Sequence, residues 1–194
     1  MKNEVLDIII SLVAGCKSQE KSVCSYIDGK QYKLYAAVYL LGQVLRQYAI
    51  DNDHIFVSKK AKEVWSRLTN DEIKKTTYRN KVICKDGVDE ELKTYKGASK
   101  VGVMTRINNY FIYNDIFHDD HIIPINVIID ELCQLNTLDY NSVEKVLDKI
   151  YICKMLKEED RDIINKYRRS SDVKDVIEKD YKNTHSGRPV EIDG

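Results

Sequence analysis

Several features that would assign a protein class are missing from this sequence of 194 residues. Its five cysteines include no CxxC pair, so the spacing typical of a zinc knuckle or zinc ribbon is absent. No apolar run approaches the roughly 18 residues that a membrane-spanning helix needs. The first residues alternate charged and apolar groups and lack the basic region and cleavable apolar stretch of a signal peptide. We therefore expect a cytoplasmic protein with reduced thiols.

An excess of charge of one sign is also lacking. The chain has 31 Lys and Arg against 31 Asp and Glu, so its formal net charge is zero. Any nucleic-acid site must come from local clustering of charge, because a basic face can be balanced by an acidic one. No internal repeat or low-complexity block is present, and 43% of the residues are hydrophobic, which is enough for a normal core.

Apolar spacing predicts helices over most of the chain and strands near its middle. Apolar residues follow a helical pattern in residues 1–14 and 59–68, and residues 34–45 are apolar almost all round. Aromatic and β-branched residues are concentrated in 110–123, on both sides of an Asn-Asp turn, and helical spacing resumes afterwards. These patterns predict a mostly helical α+β fold.

The same patterns divide the chain into three parts. Residues 1–80 are predicted to be a helical N-terminal region for recognition or dimerisation. Residues 81–182 are predicted to be a second region, which begins with loops and short strands because glycine and lysine recur in 81–109 and periodicity fades. Residues 183–194 contain Gly and Pro without periodicity, so they are expected to be a loose tail.

Residues 118–121, His-Asp-Asp-His, place four titratable groups inside the aromatic and β-branched run. A half-buried strand rarely tolerates two histidines and two carboxylates without a partner that satisfies them. A divalent metal is such a partner, because carboxylates and imidazoles are among its usual ligands. The run therefore predicts a metal site.

A second unusual carboxylate lies later in the chain, on a predicted helix. Its helical stripe is otherwise apolar and consists of Leu156, Asp160, Ile163, Ile164 and Tyr167. A carboxylate on an inward face needs a reason, because burying an unpaired charge is expensive. Coordination of the same metal by Asp160 would supply one.

Residues 120–124 read Asp-His-Ile-Ile-Pro, which resembles the D-H-I-I-P signature of the HNH (ββα-metal, His-Me finger) endonucleases. In that family a strand ends in Asp-His, a second strand follows, and a helix supplies the last metal ligand. The resemblance implies that His121 is the general base and that Asp120 is a metal ligand. It makes Asp160, in the string Lys-Glu-Glu-Asp-Arg at 157–161, the helix ligand.

The fold implied by this resemblance is a ββα-metal core with inserted helices and a helical N-terminal part, in which 81–182 is the nuclease region. The implied activity is hydrolysis of phosphodiester bonds in DNA with one Mg²⁺ (or Mn²⁺), as in a type II restriction endonuclease. The expected partner is DNA, with no membrane. A palindromic target would favour a homodimer, because symmetric sites match symmetric proteins.

Alternatives stay open at each position of the site. Asp119 replaces Asp120 as the ligand if the strand register differs by one, because adjacent side chains point to opposite faces. Asn165, one turn beyond Asp160, is a second candidate for the helix ligand. His118 is expected to be a turn or DNA-contact residue. His121 could instead be a structural histidine, and Asp160 a first-turn acid that favours the helix dipole.

Basic residues on both sides of the signature are the candidates for contacts with the phosphate backbone. They are Lys93, Lys96, Lys100, Arg106, Arg168 and Arg169. Solvated loop charges, or cations that favour a helix C-terminus, are the simpler explanation of the same residues.

Two other functions are compatible with the sequence. A metal phosphohydrolase of the HD type would use His118-Asp119, and this pair would then have to lie on a helix. A non-catalytic nucleic-acid-binding regulator would bind its target without metal-dependent turnover.

Overall fold

The structure is a computed structural model, and its described residues form the mostly helical α+β fold that the sequence predicts. The described residues are 2–18, 24–27, 30–33, 36–77, 80–92, 94–95, 110–164 and 171–193. Their helices are α1 (Lys2–Ser18), α2 (Ala36–Asp51), α3 (Lys59–Leu68), α4 (Asp89–Leu92), α5 (Tyr113–Ile116), α6 (Ile125–Gln134), α7 (Tyr140–Leu147), α8 (Lys157–Asp162) and α9 (Val173–Asp175), which continues as a π-helix over Val176–Asp180. Their strands are β1 (Cys24–Ile27), β2 (Lys30–Lys33), β3 (Ile55–Ser58), β4 (Lys81–Ile83), β5 (Tyr110–Ile112), β6 (Phe117–His121), β7 (Ile152–Leu156) and β8 (Ile192–Asp193).

A four-stranded sheet with the order β6-β7-β3-β8 carries the titratable residues 118–121, which lie on β6. Strand β7 pairs antiparallel with β6 and parallel with β3, and β8 pairs antiparallel with β3. All five residues of β7 are buried, as its nearly continuous apolar run predicts for a strand covered on both faces. Helix α8 begins directly after β7, and helices α6 and α7 are inserted between β6 and β7.

The predicted boundary at residue 80 does not separate two cores among the described residues. Strand β3, from the N-terminal side of that boundary, lies in the sheet next to β7. Helices α1 and α2 share one apolar cluster with α6 and α7, in which Leu6, Leu45, Ile128 and Leu147 are all fully buried. Each amphipathic helix must bury its apolar face against another element, and these faces come from both predicted regions.

An aromatic cluster anchors the start of β6. The rings of Trp65 and Phe117 meet edge to face with centroids 5.2 Å apart, and Tyr113 stacks on Phe117 at 5.4 Å. The Trp65 indole N–H donates a hydrogen bond to the Asp71 carbonyl at 2.7 Å. Because side chains alternate along a strand, burying Phe117 on this side directs His118 to the opposite face of the sheet.

The aromatic run before β6 differs from the expected pair of strands around a turn. Strand β5 pairs with β4, in a separate two-stranded sheet, and the Asn-Asp segment forms the single helical turn α5. The sequence pattern marks β5 correctly as a strand. The pattern does not reveal which strand pairs with β5, because that strand, β4, lies at residues 81–83.

The expectation of a loose tail over residues 183–194 also needs correction. Strand β8 pairs with β3, the Val190 amide donates to the Tyr181 carbonyl at 2.7 Å, and Val190 is buried. The segment is held by backbone hydrogen bonds and by one apolar side chain. Its sequence therefore shows no periodic pattern of apolar residues from which its order could be predicted. None of the helices among the described residues combines the length and apolar character needed to cross a membrane.

Candidate metal centre

Alternation along β6 sorts the four titratable residues of 118–121 onto two faces. Asp119 lies on the face that contacts Tyr113 and Lys154. His118 and Asp120 lie on the other face, where Asp120 contacts Tyr181 and His118 approaches Asp160. Residues i and i+2 of a strand share a face, so Asp120 lies on the same side as His118 and on the opposite side from Asp119 and His121.

His118, Asp120 and Asp160 form a cluster in which one potential ligand atom from each residue lies within 4.8 Å of the others. His118 Nε2 is 3.8 Å from Asp160 Oδ1. The Asp160 side chain is 12% exposed and Asp120 is buried, whereas the His118 side chain is 44% exposed. The cluster is therefore buried on its carboxylate side and open to solvent beside His118.

The junction of β7 and α8 positions Asp160. Helix α8 begins at Lys157, and the Leu156 amide that precedes it donates to the Glu159 carboxylate at 2.8 Å. The Ser58 hydroxyl at the end of β3 donates to the same Glu159 oxygen at 2.6 Å. With Glu159 tied to the sheet at this point, the next residue of the helix, Asp160, lies against β6.

Glu159 gives this junction a predictable pH dependence. Burial raises the pKa of its carboxyl above the ordinary value, although the hydrogen bonds from Ser58 and Leu156 oppose this shift. A raised pKa means that the folded state binds the proton more tightly than the unfolded state does. The carboxyl therefore contributes most to stability below its unfolded pKa, and that contribution is lost as pH rises through the folded pKa.

We expect Glu159→Gln to remove this loss, because the amide oxygen still accepts both hydrogen bonds and carries no charge to bury. The measurement is urea unfolding of both proteins from about pH 4 to about pH 7. The variant should gain stability relative to the wild type as pH increases. A constant difference between the two proteins over this range would contradict the expectation.

The opposite face of β6 carries a buried ion pair. The Lys154 ammonium, whose side chain is 0% exposed, lies 3.1 Å from Asp119 Oδ1 and donates to the Thr76 carbonyl at 2.6 Å. The Tyr113 hydroxyl donates to the same Asp119 oxygen at 2.7 Å, and Asp119 and burial together raise the Tyr113 pKa well above its usual range, with burial the larger cause. Asp119 is therefore engaged away from the cluster.

The donor set of the cluster fits a divalent cation. Two carboxylates and an imidazole are oxygen and nitrogen ligands that Mn²⁺, Mg²⁺ or Zn²⁺ accepts. Two nearly buried carboxylates within 4.8 Å of one another carry like charges in a region of low dielectric, and a cation between them would offset their repulsion. The exposed side at His118 leaves room for water molecules to complete the coordination.

The structure brings together some of the predicted site residues and separates others. Asp120 and Asp160, the two predicted ligands, meet in the cluster, and Asp119 faces away. His121, the predicted base, ends β6 on the face opposite Asp120 by the alternation of the strand. The predicted positions that lie outside the described residues are Asn165, Lys93, Lys96, Lys100, Arg106, Arg168 and Arg169.

Two residues of this site were not assigned to it from the sequence. His118 was expected in a turn or at DNA, yet it supplies the imidazole of the cluster. Its spacing of two from Asp120 on a predicted strand is the signal that would have placed both on one face. Tyr181, which contacts Asp120, gives no such signal, because 61 residues separate the two in sequence.

A cleft of about 920 Å³ is lined by residues of α8, of the start of α3 and of the segment around residues 185–191. The cluster residues do not line it, although Arg161 of the same helix does. Its lining carries both signs of charge, and Lys59 pairs with Glu191 at 2.8 Å within it. The cleft therefore has no field of a single sign that would attract a polyanion.

No protein-family model matches this chain, and no match is found among curated proteins or among solved structures. The resemblance of residues 120–124 to the HNH signature therefore has no support from these comparisons.

Proposed function

We propose that this protein is a metal-dependent endonuclease that hydrolyses phosphodiester bonds in DNA. The observation that carries the proposal is the cluster of His118, Asp120 and Asp160, whose ligand atoms lie within 4.8 Å of one another. It is supported by the position of these residues on β6 and α8: β6 ends in the Asp-His of the Asp-His-Ile-Ile-Pro segment, β7 pairs antiparallel with β6, and α8 follows β7 directly.

In this proposal Asp120 and Asp160 provide the negative charge that holds one Mg²⁺ or Mn²⁺, and His118 provides a neutral nitrogen ligand. The bound ion would neutralise charge on the scissile phosphate and stabilise the leaving oxygen. The carboxylates are buried, so they stay fixed while substrate approaches from the exposed side of His118. DNA is the proposed substrate, and a homodimer is the proposed assembly on a palindromic site.

His121 is the proposed general base. It follows Asp120 directly and ends β6 on the face opposite Asp120, so in this proposal the end of the strand must turn when substrate binds for the ring to reach a water molecule at the cluster. A base must come within hydrogen-bond reach of the proton that it removes, and such contacts often tighten only when substrate binds. In this proposal His118 is a metal ligand and His121 is the base, so substitution of each histidine should have a different effect.

Of the alternatives, the HD-type phosphohydrolase is not supported, because His118 and Asp119 lie on a strand and face opposite sides of it. A non-catalytic DNA-binding regulator is the second candidate. It would need neither a metal cluster nor a base, so metal-dependent turnover distinguishes it from the nuclease.

The decisive experiment incubates supercoiled plasmid with the protein in Mg²⁺, Mn²⁺ or EDTA, and compares the wild type with His121→Ala and His118→Ala. We expect nicking or cutting by the wild type that EDTA abolishes. His121→Ala should lose cleavage by about 10²–10⁴-fold with metal affinity retained, because the base acts only in the chemical step. His118→Ala should instead require more metal for the activity that remains.

Cleavage by His121→Ala at the wild-type rate would remove it as the base. Cleavage that persists in EDTA would remove the metal from the mechanism. DNA binding by the wild type without turnover in any metal would favour the regulator.

A further inference from the structure

Tyr181 reaches the candidate metal centre from the C-terminal part of the chain. Its hydroxyl donates a hydrogen bond to Asp120 Oδ2 at 2.8 Å, and the residue is fully buried. Its backbone is held on both sides, because its amide donates to the Val176 carbonyl at 3.1 Å and its carbonyl accepts from the Val190 amide at 2.7 Å. The hydroxyl is therefore presented to Asp120 by a fixed scaffold.

The ring of Tyr181 packs in an apolar cluster that lies beneath β6 and β7. Its buried members besides Tyr181 are Ile122, Cys153, Met155, Ile163, Val176 and Val190. A buried tyrosine hydroxyl needs a hydrogen-bond partner, and here that partner is a carboxylate of the proposed metal site. The contact consequently fixes the orientation of the Asp120 carboxylate as well as satisfying the hydroxyl.

We propose that Tyr181 is a positioning residue of the metal centre, which holds Asp120 as a monodentate ligand and thereby makes the site selective for small cations over Ca²⁺. This inference rests on the proposed metal site. The geometry behind it is the hydrogen bond to Oδ2, since a carboxylate that chelates through both oxygens must turn both of them towards the cation.

The selectivity follows from the different coordination of the two classes of ion. Ca²⁺ takes six to eight oxygen ligands and readily uses a carboxylate through both oxygens, whereas Mg²⁺ demands near-ideal octahedral geometry at short distances. A phenol that donates to one carboxylate oxygen leaves the other oxygen to bind the cation alone, which suits Mg²⁺ better than Ca²⁺. Outer-shell partners of this kind also raise affinity by orienting the ligand, and their loss typically lowers metal affinity by about 10–100-fold.

The test is Tyr181→Phe, which keeps the ring and removes only the hydroxyl. Calorimetric titration with Mn²⁺, Mg²⁺ and Ca²⁺, each alone and without DNA, measures binding independently of activity. We expect the variant to bind Mn²⁺ and Mg²⁺ about 10–100-fold more weakly than the wild type. The affinity for Ca²⁺ should fall less, so that the ratio of Mn²⁺ to Ca²⁺ affinity decreases.

Tyr113→Phe is the matched control. It removes the hydroxyl of an equally buried tyrosine from the neighbouring carboxylate, Asp119, on the other face of the same strand. A purely structural role for Tyr181 predicts that both variants lose stability in urea and that neither changes metal selectivity. A positioning role predicts a change in selectivity for Tyr181→Phe alone.

The outcomes separate this inference from the proposed function. Absence of metal binding by the wild type would overturn the metal site itself. Metal binding by the wild type with unchanged affinities and ratio in Tyr181→Phe, or the same change in Tyr113→Phe, would overturn only the role of Tyr181. If Tyr181→Phe does not fold, the wild-type protein still decides, because tighter binding of Ca²⁺ than of Mn²⁺ would contradict a monodentate Asp120.

Discussion

If the protein is the proposed nuclease, Asp120→Asn is expected to abolish measurable Mn²⁺ binding and to lower the rate of DNA cleavage by about 10³-fold or more. The substitution preserves the size of the side chain, and its amide oxygen still accepts the hydrogen bond from Tyr181. It removes one of the two buried negative charges of the cluster, which are the main attraction for a cation. Calorimetry with Mn²⁺ and the plasmid assay measure the two effects separately.

Glu158→Gln is the control for this prediction, because it makes the same change in charge on α8 at a side chain that is 58% exposed and paired with Lys60. Metal binding and cleavage should be close to wild type in that variant, since exposed ion pairs contribute little. Full Mn²⁺ affinity in Asp120→Asn would move the metal site away from the cluster. Loss of binding in both variants would indicate a diffuse electrostatic effect.

Asp119→Asn is expected to destabilise the protein by about 3–5 kcal/mol, because it leaves the Lys154 ammonium buried without its counterion. The ammonium would keep the hydrogen bond to the Thr76 carbonyl and its position 5.0 Å from the centre of the Tyr113 ring. Neither contact replaces a full negative charge at 3.1 Å. Urea unfolding monitored by circular dichroism gives the free energy of unfolding.

A double-mutant cycle with Lys154→Met tests the origin of that loss. Removing both charges should cost markedly less than the sum of the two single substitutions, because neither partner is then left as an isolated buried charge. Metal affinity should survive in the double variant, since this pair lies on the face of β6 opposite the cluster. Additive losses would mean that the two residues stabilise the protein independently.

Much of the local structure could be predicted from the sequence. The helical pattern of residues 59–68 matches α3 (Lys59–Leu68), and the short apolar run from Ile150 to Met155, whose composition favours a strand, overlaps β7 (Ile152–Leu156). Asp160 is buried as its stripe predicts, but the stripe is not one helical face, because α8 ends at Asp162 and Ile164 is exposed. In these elements the side-chain pattern and the local propensity favour the same structure, so neighbours in sequence are sufficient.

The sequence alone was less successful where a contact joins distant parts of the chain. The segment after residue 183 has no periodicity, and its order depends on β3 and on Tyr181. The aromatic run at 110–112 is a strand, but its partner β4 is contributed by another part of the chain. Pairing partners of this kind are set by backbone hydrogen bonds and burial, which leave little trace in local composition.

For the candidate site, the sequence by itself determined the chemistry: carboxylates and imidazoles concentrated in 118–121, and one carboxylate on an otherwise apolar helical stripe. Only the tertiary structure decided which of these groups meet. The pleat of β6 separates Asp119 and His121 from Asp120, the β7–α8 junction brings Asp160 to the same face as His118, and the C-terminal segment adds Tyr181. The reason is geometric: composition fixes which atoms can bind a cation, whereas strand alternation and long-range packing fix which of them lie within reach of one another.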